Sequence, residues 1–256
     1  MKKKMIAQVA AQKETAPGIY DMWIATELAQ DALPGQFICL YTKDKSALLP
    51  RPISICETDK EKGLMRIVYR IAGKGTREFS SYREGDFVDI LGNLGNGFPF
   101  EKAEGKKVFL MGGGIGIPPM LELAKRMQAD KQIIVGYRDA NTFLKEDLEK
   151  YGKVYLATED GSAGSRGNVM DAIREHGLQA DMIFACGPMP MLRAIKRYAA
   201  ETGIPAYISL EERMACGVGA CLGCVAKTKQ VDAHSHVHNA RICTDGPVFE
   251  AGEVDI

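Results

Sequence analysis

The chain has 256 residues, 46% hydrophobic and 26% charged, and its 33 basic side chains balance 33 acidic ones. This composition is that of a globular protein large enough for two domains and an appendage, and it lacks the basic excess typical of proteins that bind nucleic acid or anionic membranes. No run approaches 18 apolar residues and no apolar stretch follows the N-terminal lysines, so we expect neither a membrane span nor a signal peptide.

The first hundred residues show alternating apolar and polar side chains in short runs. These runs cover residues 20–25, 37–41, 64–71 and 87–91. Glycine and proline separate them, as at Pro34-Gly35. A period of two with such breaks predicts antiparallel strands, and short strands at this spacing indicate a small barrel.

Two segments of this region carry side chains suited to a phosphate-bearing ligand. Residues 49–55 read L-P-R-P-I-S-I, and Tyr69-Arg70 is followed by G-K-G-T at 73–76. Arginine offers a planar fork for phosphate oxygens, and Ser54 could bond a ring nitrogen or carbonyl. The glycine and threonine precede a short helix expected over 77–82, whose N-terminus suits a pyrophosphate. Taken alone, each segment also fits an ordinary strand or turn.

The pattern changes after a glycine-rich loop at 92–99, which we take as the linker between two domains. Apolar strand segments then alternate with amphipathic helical segments. The expected strands are 108–111, 132–135, 154–157, 182–185 and 207–210, and the expected helices start near Pro118 and cover 144–151, 169–176 and 189–202. This alternation predicts a parallel, doubly wound sheet, which binds ligands at the carboxyl ends of its strands.

A glycine-rich turn joins the first of these strands to its helix. It contains Gly112, Gly113, Gly114 and Gly116, and Pro118 lies in the first helical turn. Backbone can approach a pyrophosphate closely at such a turn, with the helix dipole behind it. The pattern is not G-x-G-x-x-G, so that fingerprint does not apply.

A second loop, Cys186-Gly187-Pro188, follows the fourth strand and again opens a helix with proline. We expect the nicotinamide end of a dinucleotide there. Ribose recognition has two candidates, Arg138-Asp139 and Glu159-Asp160. A carboxylate favours NAD and an arginine favours NADP, so the sequence leaves this choice open.

Cysteines dominate the C-terminal region. Cys216, Cys221 and Cys224 are separated by four and two residues, and Cys243 follows. This is the ligand spacing of a plant-type [2Fe–2S] cluster. Structural zinc sites pair cysteines in couples two residues apart, and this region has one such couple. The other three thiols lie in apolar surroundings, which favours a reducing cytoplasm over a disulfide framework.

Three histidines stand between the last two of these cysteines. His234, His236 and His238 alternate with other residues, which would place them on one face of a strand. Three imidazoles could hold a metal, but a solvent-facing hairpin is the interpretation we favour, because no fourth ligand is evident.

The order of these motifs resembles the ferredoxin–NADP reductase superfamily. With the C-terminal cysteines added, nearly the whole chain is similar to the electron-transfer subunits of two-component, NAD-dependent (class 1B) dihydroorotate dehydrogenases. This resemblance implies an antiparallel FAD-binding barrel at 1–100, a doubly wound NAD-binding domain at 101–210 and a small [2Fe–2S] lobe at 211–256.

The resemblance also assigns residues to cofactors. It implies FAD contacts from Arg51, Pro52, Ile53, Ser54, Val68, Tyr69, Arg70, Gly75 and Thr76. It implies NAD contacts from Gly112, Gly113, Gly114, Gly116, Pro118, Cys186, Gly187 and Pro188. Cys216, Cys221, Cys224 and Cys243 would hold the cluster. Glu211 and Glu212 would lie near flavin and nicotinamide, and the resemblance implies no acid–base catalyst.

The implied activity is that of an oxidoreductase subunit in pyrimidine biosynthesis. Electrons would come from the FMN of a dihydroorotate-oxidising partner and pass through [2Fe–2S] and FAD to NAD⁺. We expect a cytoplasmic heterotetramer with two copies of each subunit, and neither nucleic acid nor a membrane as partner.

Three alternatives remain at this stage. The chain could be the flavin and [2Fe–2S] subunit of another NAD(P)H complex, of the ferredoxin-dependent transhydrogenase or sulfhydrogenase type. It could be an oxygenase reductase, but residues 211–256 are few for a complete ferredoxin domain. A non-redox, zinc-binding regulator is the third alternative, and a colourless protein would support it.

Overall fold

The computed structural model describes residues 3–231 and 236–256. These residues form a closed six-stranded barrel, a seven-stranded sheet flanked by helices and a small two-stranded sheet. The expected combination of an antiparallel barrel and a doubly wound domain is confirmed.

The barrel strands run antiparallel and close in the order β1-β2-β5-β4-β3-β6. Their bounds are β1 Lys3–Ala16, β2 Ile19–Ala25, β3 Phe37–Tyr41, β4 Arg51–Asp59, β5 Leu64–Arg70 and β6 Phe87–Leu94. The barrel closes because β1 pairs with both β2 and β6. Alternate side chains such as Met22, Ile24, Met65 and Ile67 fill its interior.

Three details of the barrel differ from expectation. Strand β1 was not predicted, because its inward positions are occupied by small side chains such as Ala7 and Val9. Helix α1 covers Lys74–Phe79 rather than 77–82, so Gly75 and Thr76 lie inside its first turn. Strand β6 continues to Leu94, so the first part of the expected linker belongs to the barrel.

The second sheet has the order β10-β9-β8-β7-β11-β12-β15. Its strands are β7 Lys107–Gly113, β8 Asp130–Tyr137, β9 Lys153–Thr158, β10 Ser165–Arg166, β11 Met182–Cys186, β12 Ala206–Ser209 and β15 Val248–Glu250. Its helices are α2 Pro118–Arg126, α3 Lys145–Glu149, α4 Val169–Glu175 and α5 Met189–Thr202. The two-stranded sheet consists of β13 Val225–Lys227 and β14 Asn239–Arg241.

Helices cover both faces of this sheet. Helices α2 and α3 pack on the face that carries Val108 and Leu110, and α4 and α5 pack on the face that carries Phe109 and Met111. The alternation follows from the period of two in a strand buried on both sides. The switch in strand order between β7 and β11 puts the glycine-rich turn and the 186–188 loop side by side.

The C-terminal region is not wholly separate from this sheet. Strands β13 and β14 pair antiparallel with each other, whereas β15 pairs antiparallel with β12 and completes the sheet. Among the residues described, no helix has both the length and the apolar character that crossing a membrane requires.

The expected strand of histidines is wrong for the two that the structure describes. His236 has a φ of +56°, and β14 begins only at Asn239. His238 Nδ1 instead lies 3.0 Å from the carbonyl oxygen of Lys229. His234 lies outside the described residues.

Candidate functional site

A cavity of about 500 Å³ lies between the barrel and the second sheet. Every residue expected to contact FAD lines it except Gly75, and so do Glu211 and Glu212. Three separate strands or turns, at 51–54, 68–70 and 76, therefore meet at one place. The volume is within the range of small-molecule and cofactor pockets.

Gly75 does not line the cavity but contacts Arg51, which does. A Cβ atom at position 75 would lie 2.5 Å from Arg51 Nε, so only glycine lets the guanidinium rest against the first turn of α1. That turn is held by Thr76 Oγ1, which accepts hydrogen bonds from the N–H groups of Ala72 at 2.8 Å and Gly73 at 3.2 Å. This cradle beside a guanidinium fits the pyrophosphate of a dinucleotide.

Tyr69 lines the cavity but does not offer its ring to a ligand. Its side chain is almost fully buried in the barrel core and stacks on Tyr20 at a centroid distance of 6.0 Å. Its hydroxyl donates to Gln12 Oε1 at 2.7 Å. Burial raises the pKa of this phenol, so it remains a neutral hydrogen-bond donor.

Glu211 faces the cavity where β11 and β12 end. Desolvation by the surrounding protein raises the pKa of Glu211, although the residue keeps an exposed surface, and the guanidinium of Arg70 partly offsets this rise. Burial also raises the pKa of Cys186, with Glu211 as the second cause. Glu211, Cys186 and Ser209 therefore share one corner of the site, which the sequence indicated for Glu211 and Cys186 separately.

The two loops expected to bind a dinucleotide touch each other. A Cβ atom at Gly116 would lie 2.4 Å from the carbonyl oxygen of Cys186, and one at Gly113 would lie 2.9 Å from Pro188 Cδ. A Cβ atom at Gly187 would lie 3.1 Å from the backbone N of Gly113. Glycine is required for this approach, and the resulting cradle fits a pyrophosphate at the N-terminus of α2.

Both ribose candidates lie in one smaller cavity of about 480 Å³, lined by Arg138, Asp139, Glu159 and Asp160. Asp139 is held by Asn141, whose backbone N–H donates to Oδ1 at 2.9 Å. Asp160 is held in the same way by Ser162, also at 2.9 Å. From the sequence, Arg138-Asp139 and Glu159-Asp160 were alternative candidates. The structure brings them together because they follow β8 and β9, which are adjacent parallel strands.

The four C-terminal cysteines form two pairs. Cys221 neighbours Cys216 and helps to lower its pKa, and Cys224 neighbours Cys243 and helps to raise its pKa. Within the described ranges, no three or more His, Cys, Asp or Glu side chains form a ready ligand set for one metal ion. Two pairs of thiols fit a binuclear cluster, whose four thiolates are divided between two irons.

Backbone groups of the same loop face these sulfurs. The N–H of Val218 donates to Cys216 Sγ and that of Gly223 to Cys221 Sγ, both at 3.4 Å. Desolvation opposes ionisation of Cys216, but such donors outweigh it and lower its pKa to about 6. Burial followed by the neighbouring Cys224 raises the pKa of Cys243 to about 12.

Thr244 adds an unused donor beside this loop. Its Oγ1 is buried and has no hydrogen-bond partner among the described residues. A Cβ atom at Gly219 would lie 3.1 Å from it. An orphaned hydroxyl next to Cys243 fits a sulfur acceptor of a bound cluster, since buried polar groups are normally paired. Thr244 was not among the residues predicted from the sequence.

Cys39 was also not identified as part of the site. It lies fully buried on β3, and its Sγ is 3.1 Å from where a Cβ of Gly217 would be. Burial, followed by the proximity of Cys243, Cys216 and Cys224, raises its pKa to about 12. Its apolar sequence neighbours indicated only a core position, so no local signal could have revealed this contact.

Two protein families match parts of the chain. The iron-sulfur cluster binding domain of dihydroorotate dehydrogenase B matches residues 211–255. The oxidoreductase NAD-binding domain matches residues 110–197. These segments contain the four paired cysteines and both dinucleotide loops, respectively.

Solved structures resemble the chain in fold. A chain of an NADH-dependent reduced ferredoxin-NADP oxidoreductase is 29% identical, with a TM-score of 0.87, over 100% of this chain and 91% of that chain. A ferredoxin NADP⁺ reductase from Neisseria gonorrhoeae with bound FAD and NADP is 15% identical, with a TM-score of 0.65, over 82% and 94%. The latter likeness shows the fold alone.

Full-length relatives are more similar in sequence. The electron transfer subunit of dihydroorotate dehydrogenase B (NAD(+)) from Bacillus cereus strain B4264 is 42% identical over 262 aligned positions, covering 99% of both chains. The protein of the same name from Bacillus anthracis strain A0248 is similar to the same extent. The chain belongs to the family of dihydroorotate dehydrogenase B (NAD(+)) electron transfer subunits.

Proposed function

We propose that this protein is the subunit that carries electrons from a dihydroorotate-oxidising partner to NAD⁺ in pyrimidine biosynthesis. Its cofactors are a [2Fe–2S] cluster, FAD and NAD. The observation that carries this proposal is the position of one cavity. It is lined both by residues 211–214, which lead into the cysteine loop, and by Ile115 of the glycine-rich turn.

Each part of the chain has a defined task in this proposal. Arg51 and the first turn of α1 hold the FAD pyrophosphate, and Pro52, Ile53, Ser54 and residues 68–70 surround the rest of the cavity. The loops at 112–118 and 186–188 hold NAD against it. When bound, the cluster transfers electrons one at a time, whereas the flavin can take up two and pass them to NAD⁺ as a hydride.

The cysteine loop lies one strand away from the flavin segment. Cys39, whose sulfur packs against Gly217 of that loop, is the register partner of Pro52. Neighbouring strands are about 4.8 Å apart, so only a short path separates the two regions. Met214, two residues before Cys216, also lines the cavity. This proximity supports electron transfer between the cluster and the flavin.

The proposed units are residues 1–100 for FAD, 101–210 for NAD and 211–256 for the cluster, with the last also supplying β15 to the second sheet. The partner is an FMN-containing catalytic subunit, in a cytoplasmic heterotetramer of two plus two. It would dock where the cysteine loop is exposed, since Cys221 reaches solvent and Leu222 is 53% exposed. Val218 and Val225 of the same region are also exposed, and a group of exposed apolar side chains suits an interface.

One second candidate has an observation in its favour. The similarity to the NADH-dependent reduced ferredoxin-NADP oxidoreductase covers the whole chain. A subunit of that type would exchange electrons with a ferredoxin-dependent partner. The higher identity to the dihydroorotate dehydrogenase B subunits, 42% against 29%, favours the first candidate.

The test is purification from the native cell followed by anaerobic assay with dihydroorotate and NAD⁺. We expect an FMN-containing companion, a flavin and cluster absorption spectrum, and NADH formation that depends on both subunits. Activity with reduced ferredoxin but not with dihydroorotate would support the second candidate. A colourless protein that carries zinc would contradict both.

A further inference from the structure

Strand β4 extends beyond its neighbour in the barrel. It pairs with β3 only from Arg51 to Ser54, although it continues to Asp59. Its second half pairs with β5 on one side. On the other side lies helix α2 of the NAD-binding domain, which packs extensively along this strand. One strand thus carries the flavin segment at its start and meets the NAD-binding domain at its end.

Side chains of α2 provide the hydrogen bonds that a neighbouring strand would otherwise supply. Glu122 accepts from the backbone N–H of Thr58 and from Thr58 Oγ1, both at 2.9 Å. Lys125 Nζ donates to the carbonyl oxygen of Thr58 at 2.8 Å. Glu122 is 1% exposed, and besides Thr58 its carboxylate faces the guanidinium of Arg126 at 3.8 Å.

A second layer of charges surrounds this contact. Arg66 of the barrel binds Asp21 through two hydrogen bonds of 3.0 and 2.8 Å, and it also reaches Asp147 of α3 at 3.0 Å. Glu57 bridges Arg66 and Lys125, at 3.1 Å to each. Buried charges persist only when they are paired, so these groups hold the two domains in one relative orientation.

The contact lies close to both expected ligand segments. Thr58 is four residues beyond Ser54 on β4, and Glu122 is four residues beyond Pro118 on α2. Four helical residues rise about 6 Å. Because the dinucleotide loop is only one helical turn away, a shift of α2 along the strand would move this loop, relative to the flavin cavity, by about as much as the helix itself moves.

We propose that Glu122 is a positioning residue for hydride transfer: by binding Thr58 it fixes the distance between the nicotinamide and the flavin. The inference rests on the proposed function, because it requires FAD and NAD at the two segments. Hydride transfer is sensitive to such placement, since a displacement of about 1 Å can lower a rate by about 100-fold.

The test compares Glu122→Gln and Thr58→Val with the unmodified holoprotein by anaerobic stopped-flow reduction of FAD with NADH. Glutamine has the same shape but no charge, so it loses the ion pair with Arg126, and its N–H₂ group forces the Thr58 hydroxyl to accept rather than donate. We expect the limiting rate of flavin reduction to fall by about tenfold or more, with a weaker long-wavelength absorbance of the NADH–flavin complex. The NADH concentration for half-maximal rate and the EPR spectrum of the cluster should change little.

Thr58→Val should have a smaller effect, because it keeps the backbone donor and loses only the hydroxyl. The double variant should be no slower than Glu122→Gln alone, since both changes act on one contact. Glu149→Gln is the matched control. It removes an ion pair of 2.9 Å with Lys145 inside α3 and should leave the rate unchanged.

A Glu122→Gln protein with a lower Tm but an unchanged limiting rate and absorbance band would overturn the inference, because the carboxylate would then be only structural. Should that variant not fold, an unchanged rate in Thr58→Val would overturn it equally. An unmodified protein that binds no flavin or does not react with NADH would instead contradict the proposed function.

Discussion

The cysteine region and the rest of the molecule are held together in different ways. The barrel and the second sheet each consist of hydrogen-bonded strands that pack around apolar cores. The described part of 211–247 contains two three-residue strands, and Gly217, Gly219 and Leu222 have positive φ. The first two regions specify their own geometry, whereas the cysteine region depends on what its thiols bind.

Ionisable groups of the two regions also differ in the kind of partner that they have within the protein. In the barrel, the buried carboxylate of Asp21 is paired with the guanidinium of Arg66. In the cysteine region, neighbouring thiols have opposed pKa shifts, with Cys216 lowered to about 6 and Cys243 raised to about 12. Paired thiols of this kind are typical of a site completed by a cation.

The largest expected effect comes from removing a cluster ligand. Cys224→Ser should abolish transfer from dihydroorotate to NAD⁺ in the assembled complex, by at least about 100-fold, since even secondary partners of metal ligands cost 10–100-fold. NADH reduction of ferricyanide should persist, because electrons from NADH reach the flavin without passing through the cluster. Cys56→Ala, at a buried thiol in the barrel, is the control. Full turnover in Cys224→Ser would contradict the cluster assignment.

The next effect is confined to the NAD site. Gly116→Val would place a side chain 2.4 Å from the Cys186 carbonyl oxygen and force the two loops apart. We expect flavin reduction by NADH to slow by about 100-fold, with flavin content and cluster EPR retained. Gly252→Ala, where a Cβ meets no atom within 4 Å, should behave like the unmodified protein. An unaffected Gly116 variant would remove this loop from the NAD site.

A smaller effect is expected on flavin affinity. Gly75→Val would push the guanidinium of Arg51 away from α1, because the new Cβ would lie 2.5 Å from Nε. Loss of a charged hydrogen bond of about 1.5–3 kcal/mol should weaken FAD binding by about 10–100-fold. Fluorescence titration of the apoprotein measures this, with Gly73→Ala as control because that position is open. Equal affinity in both variants would argue against a role for Arg51.

The interface between the domains should lose stability in acid. Partial burial raises the pKa of Asp147, but the opposite effect of Lys150 and Arg66 is larger, so the pKa of this carboxyl lies below its ordinary value. A lowered pKa means that the pairing stabilises the protein above about pH 4 and is lost as pH falls through the shifted pKa. Thermal unfolding below pH 4 should therefore be less pH-dependent in Asp147→Asn, by up to about 1 kcal/mol. Parallel curves for the two proteins would disprove this.

The smallest effect concerns the cluster potential. Thr244→Val removes the orphaned hydroxyl beside Gly219 and should lower the cluster midpoint potential by tens of millivolts, roughly one hydrogen bond to sulfur. Thr244→Ser should restore the potential because it restores the donor. EPR-monitored redox titration measures both. Identical potentials in all three proteins would show that the hydroxyl does not reach the cluster.

Local motifs of the molecule were predictable because their chemistry depends on short spacings. The separation of Cys216, Cys221 and Cys224, the glycine-rich turn after β7 and the alternation in β2 and β5 all report on a few consecutive residues. The full-length relatives bear out the family that these motifs indicated.

Features that join distant segments were not predictable in this way. Strand β1 carries little apolar periodicity because small side chains face the barrel interior, and β15 crosses from the cysteine region to pair with β12. Neither feature has a signal within its own residues. The pairings of β1 with β6 and of β15 with β12 join strands that are far apart in the sequence, although β1 also forms a hairpin with β2.

The sequence by itself determined which residue types are available for chemistry: four thiols, two glycine-rich turns and an arginine-proline segment. The tertiary structure alone decided which of them share a cavity, that Cys39 and Thr244 lie beside the cysteine loop, and that Glu122 binds Thr58. The physical reason is that periodicity fixes the face on which a side chain lies, whereas contacts between domains depend on register and packing across the whole chain.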